Sequence, residues 1–361
     1  MQKVFSARAD NQSAVSGLIL FAVAAICILC SPSVSASGAW EGLKLCSGVV
    51  IPSLFPFTAA AVFFLKSGAL TWLGKKLDTP ARIIFGVSGA SFAGVVLSLV
   101  GGYPVGAKLI DQMYAEGVLS ENDANRLLRY AVNASPAFFL SVVGETVLNS
   151  RSAGKILFFS NLAACLILTA ITGHFQQNKR PHCEPPRRAA PVCLSDAFVE
   201  SVAEASRVMI GICAWVILFC SVAAYLRILP LSDRFYAAVC AGLEVTFGCT
   251  AAGKCGFPLP VFSLILAFGG LSSVCQVAQS AAHLKPGLHR IILYRLIHGG
   301  LAMLISGLLF RLFPPYTSVI QNAVEVEFTG FSLCLPSVML MLFAVMFLMF
   351  VLPKSNTSQG K

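Results

Sequence analysis

The run Gly101-Gly102-Tyr103-Pro104-Val105-Gly106-Ala107-Lys108 sets two adjacent glycines and a proline inside an otherwise apolar stretch. A proline lacks its N–H and glycine loosens the backbone, so such a run interrupts a helix and leaves main-chain groups without helical partners. Lipid cannot satisfy them, and they must face protein, water or a ligand. A helix restarting near Pro104 turns its positive end to the gap, with Lys108 one turn later, which suits an anionic group. The competing reading is a kink made for packing. Farther along, Gly269-Gly270-Leu271-Ser272-Ser273-Val274-Cys275-Gln276 repeats the glycine pair, replaces the proline by hydroxyls and adds Gln276, with Gln279 beyond it. Serines often bond back to their own helix and signal little, whereas glutamines inside an apolar span are costly without a partner.

Glu244 lies in the apolar run AAVCAGLEVTFGC. An ionisable group in such a place faces a cavity or a partner, so its roles are proton carrier, cation ligand or structural partner to Arg295, with Thr246 and Gly248 beside it. Asn133-Ala134-Ser135-Pro136 forms another polar break. There Asn133 and Ser135 either meet a ligand or cap a helix end. Catalysis has little support: the five histidines are scattered, none sits at metal spacing from a carboxylate, and His283 and His289 straddle Pro286. No HExxH or GxSxG motif is present, and neither an enzyme, a metal nor a cofactor is expected.

The elements that must hold these residues follow from composition. Of 361 residues, 57% are hydrophobic and only 12% charged, with mean hydropathy +0.79; a water-soluble domain of this size carries far more charge. Gly17–Cys30, Ile156–Ile171, Val208–Leu226, Ile291–Phe310 and Phe331–Leu352 are apolar over about the length that crosses a hydrocarbon core. None alternates as a barrel strand does, so helices are expected. The fold class is all-α, a polytopic integral membrane protein of seven or eight passes with broken or re-entrant helices. The net charge of +10 clusters beside span ends, at Lys75, Lys76 and Arg82 and at Lys179, Arg180, Arg187 and Arg188. This is the pattern of basic loops kept in the cytoplasm, and no aromatic-basic interleaving suggests nucleic acid. Of 13 cysteines, most, including Cys27, Cys30, Cys165, Cys213, Cys220, Cys240 and Cys334, lie in apolar runs and read as small hydrophobes. His182, Cys183 and Cys193 lack the paired spacing of a zinc site.

Five regions are expected. Residues 1–40 hold a retained first helix and a connecting loop from Ser31 to Trp40, although Lys3, Arg8 and Val34-Ser35-Ala36 also permit a cleaved signal peptide. Residues 41–175 form a first half, 176–195 a basic, proline-rich cytoplasmic linker, 196–313 a second half, and 314–361 a last helix and tail. In the first half, Pro52 and Pro56 should kink the helix from Leu43 to Leu65, and Ser120 should cap an amphipathic helix at the membrane surface. Ser47–Leu70 lies over Ser206–Leu229 without a gap, LSLVGGYPVGAKLI from Leu97 lies over ILAFGGLSSVCQVA from Ile265, and Arg129 falls near Arg295. Such order is the mark of an internal repeat, and a basic linker between halves of odd pass number would make it an inverted one, with its site near the midplane.

The ordered set GGYPVGAKLI, NASPAFFL, LEVTFG and FGGLSSVCQV, spread over residues 40 to 312, resembles the sporulation integral membrane protein YlbJ family, whose members contain nucleoside-recognition or Gate domains. Gate domains are similar to parts of concentrative nucleoside transporters, spore maturation proteins and ferrous iron transporters. The resemblance implies that FGGLSSVCQ is a broken helix that sets Ser272, Ser273 and Gln276 near a cargo. The Gln-Thr-Glu hairpin motif of the nucleoside binders is absent. The resemblance further implies a part in endospore formation, where the family is linked to delivery of dipicolinic acid to the forespore. The expected function is thus a membrane transporter or channel for a small polar or anionic solute, in the cell or forespore membrane. A non-transporting scaffold for the spore envelope, or nucleoside transport, are the alternatives. The candidate substrate-binding residues are Gly101, Gly102, Tyr103, Pro104, Lys108, Asn133, Ser135, Glu244, Thr246, Ser272, Ser273 and Gln276, and the expected partners are the lipid bilayer and the solute.

Overall fold

A computed structural model describes residues 28–67, 69–176, 193–284 and 286–314, with a few positions between 18 and 26. The linker from 177 to 192 and the C-terminal helix expected beyond 314 lie outside the described residues, as does most of the first apolar segment. The described elements are all helical, and six helical stretches are long and apolar enough to cross a membrane: Pro32–Phe64, Gly89–Ala115, Arg151–Phe175, Leu194–Leu226, Leu259–Ser280 and Leu288–Leu312. The protein is an integral membrane protein.

The chain begins with α1 (Pro32–Leu45), passes through a π-turn at Cys46–Val50 and continues as α2 (Ile51–Lys66). The loop expected from Ser31 to Trp40 is therefore a helix. Pro32 stands at its first turn, where a missing N–H costs nothing. Gly38 and Gly42, one turn apart, form a small-residue face that the reading of Ser31–Trp40 as a loop overlooked. That face meets α7 (Leu194–Leu226) so closely that a Cβ on Gly38 would lie 2.7 Å from the Cys220 carbonyl oxygen, and one on Gly42 would lie 2.8 Å from Ile217 Cα. Gly38→Leu should separate α1 from α7 and cost about 1–3 kcal/mol. The check is a lowered melting temperature of the purified protein in detergent, with Gly211→Ala, a glycine with open space around it, as control.

α3 (Ala69–Phe85) is amphipathic, and Asp78 near its end accepts from the Gly89 N–H (2.8 Å) at the start of α4 (Gly89–Ala115) and from Arg82 Nε (2.8 Å). Those two donors, Arg82 first, hold the Asp78 carboxyl below the usual range. α5 (Glu121–Tyr130) follows, capped as expected by Ser120 Oγ, which accepts from the Asp123 N–H at 3.1 Å. Its apolar face is packed against the protein: Ala124, Leu127, Leu128 and Tyr130 are fully buried, and Arg126 is buried against Asp123 at 2.8 Å, while Glu121 and Asn122 are exposed. Asp123 and Arg126 pair within the helix, and Arg129 lies over the Tyr294 ring, 5.3 Å from its centroid.

A break at 131–135 leads into a π-helix (Phe138–Val147) and α6 (Arg151–Gln176). After α7 come α8 (Asp233–Leu243) and α9 (Val245–Lys254), joined at Glu244, whose extended backbone (φ −146°, ψ 132°) ends one helix and starts the next. Gly248 packs on Ala241 so tightly that a Cβ would lie 2.3 Å from the Ala241 Cα, so the two helices bend back on each other. At about 1.5 Å per residue neither is long enough to cross a bilayer alone. α10 (Leu259–Phe268), α11 (Gly270–Ser280) and α12 (Leu288–Leu312) complete the body. Cys46, Cys165, Cys220, Cys240 and Cys249 are buried, Cys213 is half-buried, and Cys30 is exposed.

Candidate functional site

Both glycine pairs break their helices. Gly102, with φ 81° and ψ −179°, is the middle residue of the span Gly89–Ala115. Gly269 and Gly270, with φ 76° and 75°, stand at the centre of Leu259–Ser280. Only glycine takes these backbone conformations without strain. The breaks face each other: the Tyr103 hydroxyl donates to the Leu266 carbonyl, and a Cβ on Gly269 would fall 2.7 Å from that hydroxyl.

A cavity of about 50 Å³ lies at this meeting point. Of the residues singled out in the sequence, Gly101, Gly102, Tyr103, Pro104, Ser135, Glu244, Thr246, Ser273 and Gln276 line it; Thr58 and Ile212 add walls that carried no signal in the sequence. Four helices begin here. The second part of α4 starts at Tyr103 and Pro104, the π-helix follows Ser135, α9 starts at Glu244 and Val245, and α11 contributes its first two turns through Ser273 and Gln276. Each helix start carries about half a positive charge. Two are capped by side chains on the spot: Phe247 N–H donates to Glu244 Oε2 (2.7 Å), and Phe138 N–H to Ser135 Oγ (3.4 Å).

Three candidates stand apart from the lining. Lys108 Nζ is 2.5 Å from Glu204 Oε1 on α7, in a cluster where Lys66 also approaches Glu204 (3.4 Å) and Glu200 (2.9 Å). The Glu200 hydrogen bond raises Lys66 above its ordinary range. Lys108 is thus engaged by an acid on a neighbouring helix. Asn133 is buried, and its Nδ2 donates to the Tyr130 and Ala131 carbonyls (3.1 and 3.3 Å), the helix-end capping role, while its Oδ1 has no partner among the described residues. Ser272 accepts from Gln276 Nε2 at 3.1 Å and so orients that side chain.

Arg295 is not the partner of Glu244. Fully buried on α12, its guanidinium donates to the Phe268 carbonyl, Ser273 Oγ and the Val132 carbonyl, each at 3.1 Å, and lies over the Tyr103 ring, 4.7 Å from its centroid. It therefore takes up main-chain oxygens at the second glycine break and after α5. Some of the backbone freed by these breaks is met by protein, through Arg295 and Tyr103, and not by cargo or water. An arginine within IILYRLIHGG was the signal, since a charge inside an apolar helix marks an interior contact. Asp111 was not foreseen either. Its carboxylate accepts from the His283 and Leu284 N–H groups (both 3.0 Å) and pairs with His283 Nδ1 (2.7 Å), tying α4 to the loop after α11. A His-carboxylate pair thus exists, although the two residues are far apart in sequence.

A second, larger cavity of about 630 Å³ lies across α9, between α1, the end of α7 and α8. Glu41, Arg227, Tyr236, Phe247 and Lys254 are among its lining. Phe247, which also packs on Cys46, Val216 and Cys220, lines this space with its side chain while its N–H bonds Glu244.

The chain is 24% identical over 352 residues to the sporulation integral membrane protein YlbJ of Bacillus subtilis (strain 168), covering 85% of this chain and 84% of that protein. No family model matches the chain, and no solved structure matches it. The chain is thus similar, along nearly the full length of both proteins, to a sporulation integral membrane protein, in keeping with a described part that is all helix with membrane-length spans.

Proposed function

We propose that this protein is a transporter of the Gate-domain type that carries a small anionic solute through the cavity between its two broken helices. The observation behind this reading is that four helix starts converge on one small cavity at the centre of two spans, with Ser135, Glu244, Thr246, Ser273 and Gln276 set among apolar walls. Together they contribute on the order of two positive charges, and Arg295 adds a full one behind Tyr103 and Ser273, against the single negative charge of Glu244. Such a field favours a negative guest, and the Gln276 amide, with one N–H beyond the one given to Ser272, can orient it. In its present form the cavity has room for a few water molecules. Cargo therefore enters when a wall parts. A flat dicarboxylate such as dipicolinate suits the chemistry. The relative's part in sporulation, extended to this chain, makes delivery of that anion during endospore formation its role.

The test is uptake by liposomes containing the purified protein. Labelled dipicolinate should enter faster than into protein-free liposomes and faster than uridine. Gln276→Leu removes a donor to a charged guest, worth about 1.5–3 kcal/mol, and should slow uptake roughly tenfold or more. Equal entry of dipicolinate with and without protein would remove the transport reading.

A further inference from the structure

Among the described residues, Glu244 is the only carboxylate in the wall of the cavity, and apart from the Tyr103 phenol the only ionisable group there. It is 2% exposed, and no ion pair reaches it among the described residues. The titratable groups within electrostatic reach are Tyr103 from α4, Cys46 from the π-turn, Cys220 from α7 and Cys249 from α9 itself. On α12, Arg295 is held by three neutral oxygens and faces the site through Tyr103 and Ser273. One negative and one positive group thus border the cavity without touching. A second negative charge brought beside Glu244, away from water, is repelled strongly, because the Coulomb term grows as the dielectric falls. Carrying a proton on the carboxylate cancels that repulsion while leaving the helix starts and Arg295 to attract the anion.

Resting on the transport reading above, we infer that Glu244 carries one proton with each anion, so that the protein is an anion-proton symporter. The proton binds a Glu244 carboxylate oxygen on the side from which the anion enters, and both leave on the other. Oε2 accepts from the Phe247 N–H, so the carboxylate is held at the start of α9 while it exchanges its proton. A glutamine at this position keeps an oxygen to cap α9 but has no proton to give up.

The experiment uses the full-length protein in liposomes, labelled dipicolinate as probe, and a membrane potential clamped at zero with potassium and valinomycin. An inside-alkaline gradient should drive accumulation of the wild-type probe by about tenfold per pH unit, the limit for one proton per anion. A pH dye outside should register proton uptake that begins when dipicolinate is added. Glu244→Gln should equilibrate the probe without accumulating it and without moving protons. Wild-type uptake that ignores the pH gradient overturns the coupling and leaves transport standing, as does accumulation that follows a sodium gradient instead. Absence of dipicolinate uptake under every gradient overturns both. The wild-type measurement decides the matter even if the glutamine variant fails to fold.

Discussion

Arg295→Met is expected to lower the stability of the purified protein in detergent by about 3–5 kcal/mol and to abolish transport. Methionine fills similar volume but donates nothing, so the Phe268 and Val132 carbonyls lose a charged donor in a buried place. Each buried acceptor left unsatisfied costs about 1–3 kcal/mol, and stripping one member from a buried charged cluster typically costs about 3–5 kcal/mol. Ser273 and Tyr103, which line the cavity, lose the group that holds them. Arg295→Lys separates charge from geometry. It keeps the positive charge, yet a single ammonium cannot span the donor directions of the guanidinium, so it should recover part of the melting temperature and little of the transport. A methionine variant that melts and transports like the wild type would show that the buried guanidinium organises nothing.

Gly269→Ala carries the second large effect, and its control is built into the chain. Gly269 has φ 76°, and a Cβ there would lie 2.4 Å from Ser273 Oγ and 2.7 Å from the Tyr103 hydroxyl. Gly256 has a similar φ of 64° with nothing within 4 Å. Both alanine variants bear the cost of a left-handed backbone, about 1 kcal/mol or somewhat more. Only the Gly269 variant also presses on Ser273 and on Tyr103, whose hydroxyl bonds the Leu266 carbonyl and so joins the two broken helices. It should lose at least a further ~2 kcal/mol from the clash and leave no measurable dipicolinate uptake, while Gly256→Ala melts slightly lower and transports normally. Thermal unfolding followed by tryptophan fluorescence, with uptake in matched liposomes, makes the comparison. Equal losses at both positions would mean that the strain lies in the backbone alone and that the meeting of the helices is unimportant.

The interruptions were the most legible part of the site. Gly101-Gly102 and Gly269-Gly270 break helices in the structure as they do on paper, because the freedom of a residue without Cβ is a local property. The Ser120 cap and the polar break around Ser135 were equally local. Ser31–Trp40 was misread because serine and alanine look like loop residues when their partner is unknown. Against α7 the same small side chains form a close helix contact. α5 was placed at a surface on its polar stripe, of which Glu121 and Asn122 are exposed while Asp123 and Arg126 pair within the helix.

Partnerships across the chain lay beyond reach. Lys108 one turn after a helix start reads as an anion binder until α7 brings Glu204 to it. Glu244 and Arg295 read as opposite charges in need of each other, yet one caps α9 and the other bonds carbonyl oxygens from two other elements. From the amino-acid sequence alone followed an all-helical membrane protein, the places where its helices must break, and most of the polar residues at those breaks, because hydropathy, glycine freedom and capping act within a few residues. Tertiary structure alone decided that the breaks face one another, that four helix starts share one cavity, and that Glu244 stands in its wall without an ion pair among the described residues. Those outcomes depend on contacts between segments more than a hundred residues apart, and many pairings of apolar helices bury the same area until the polar groups select one.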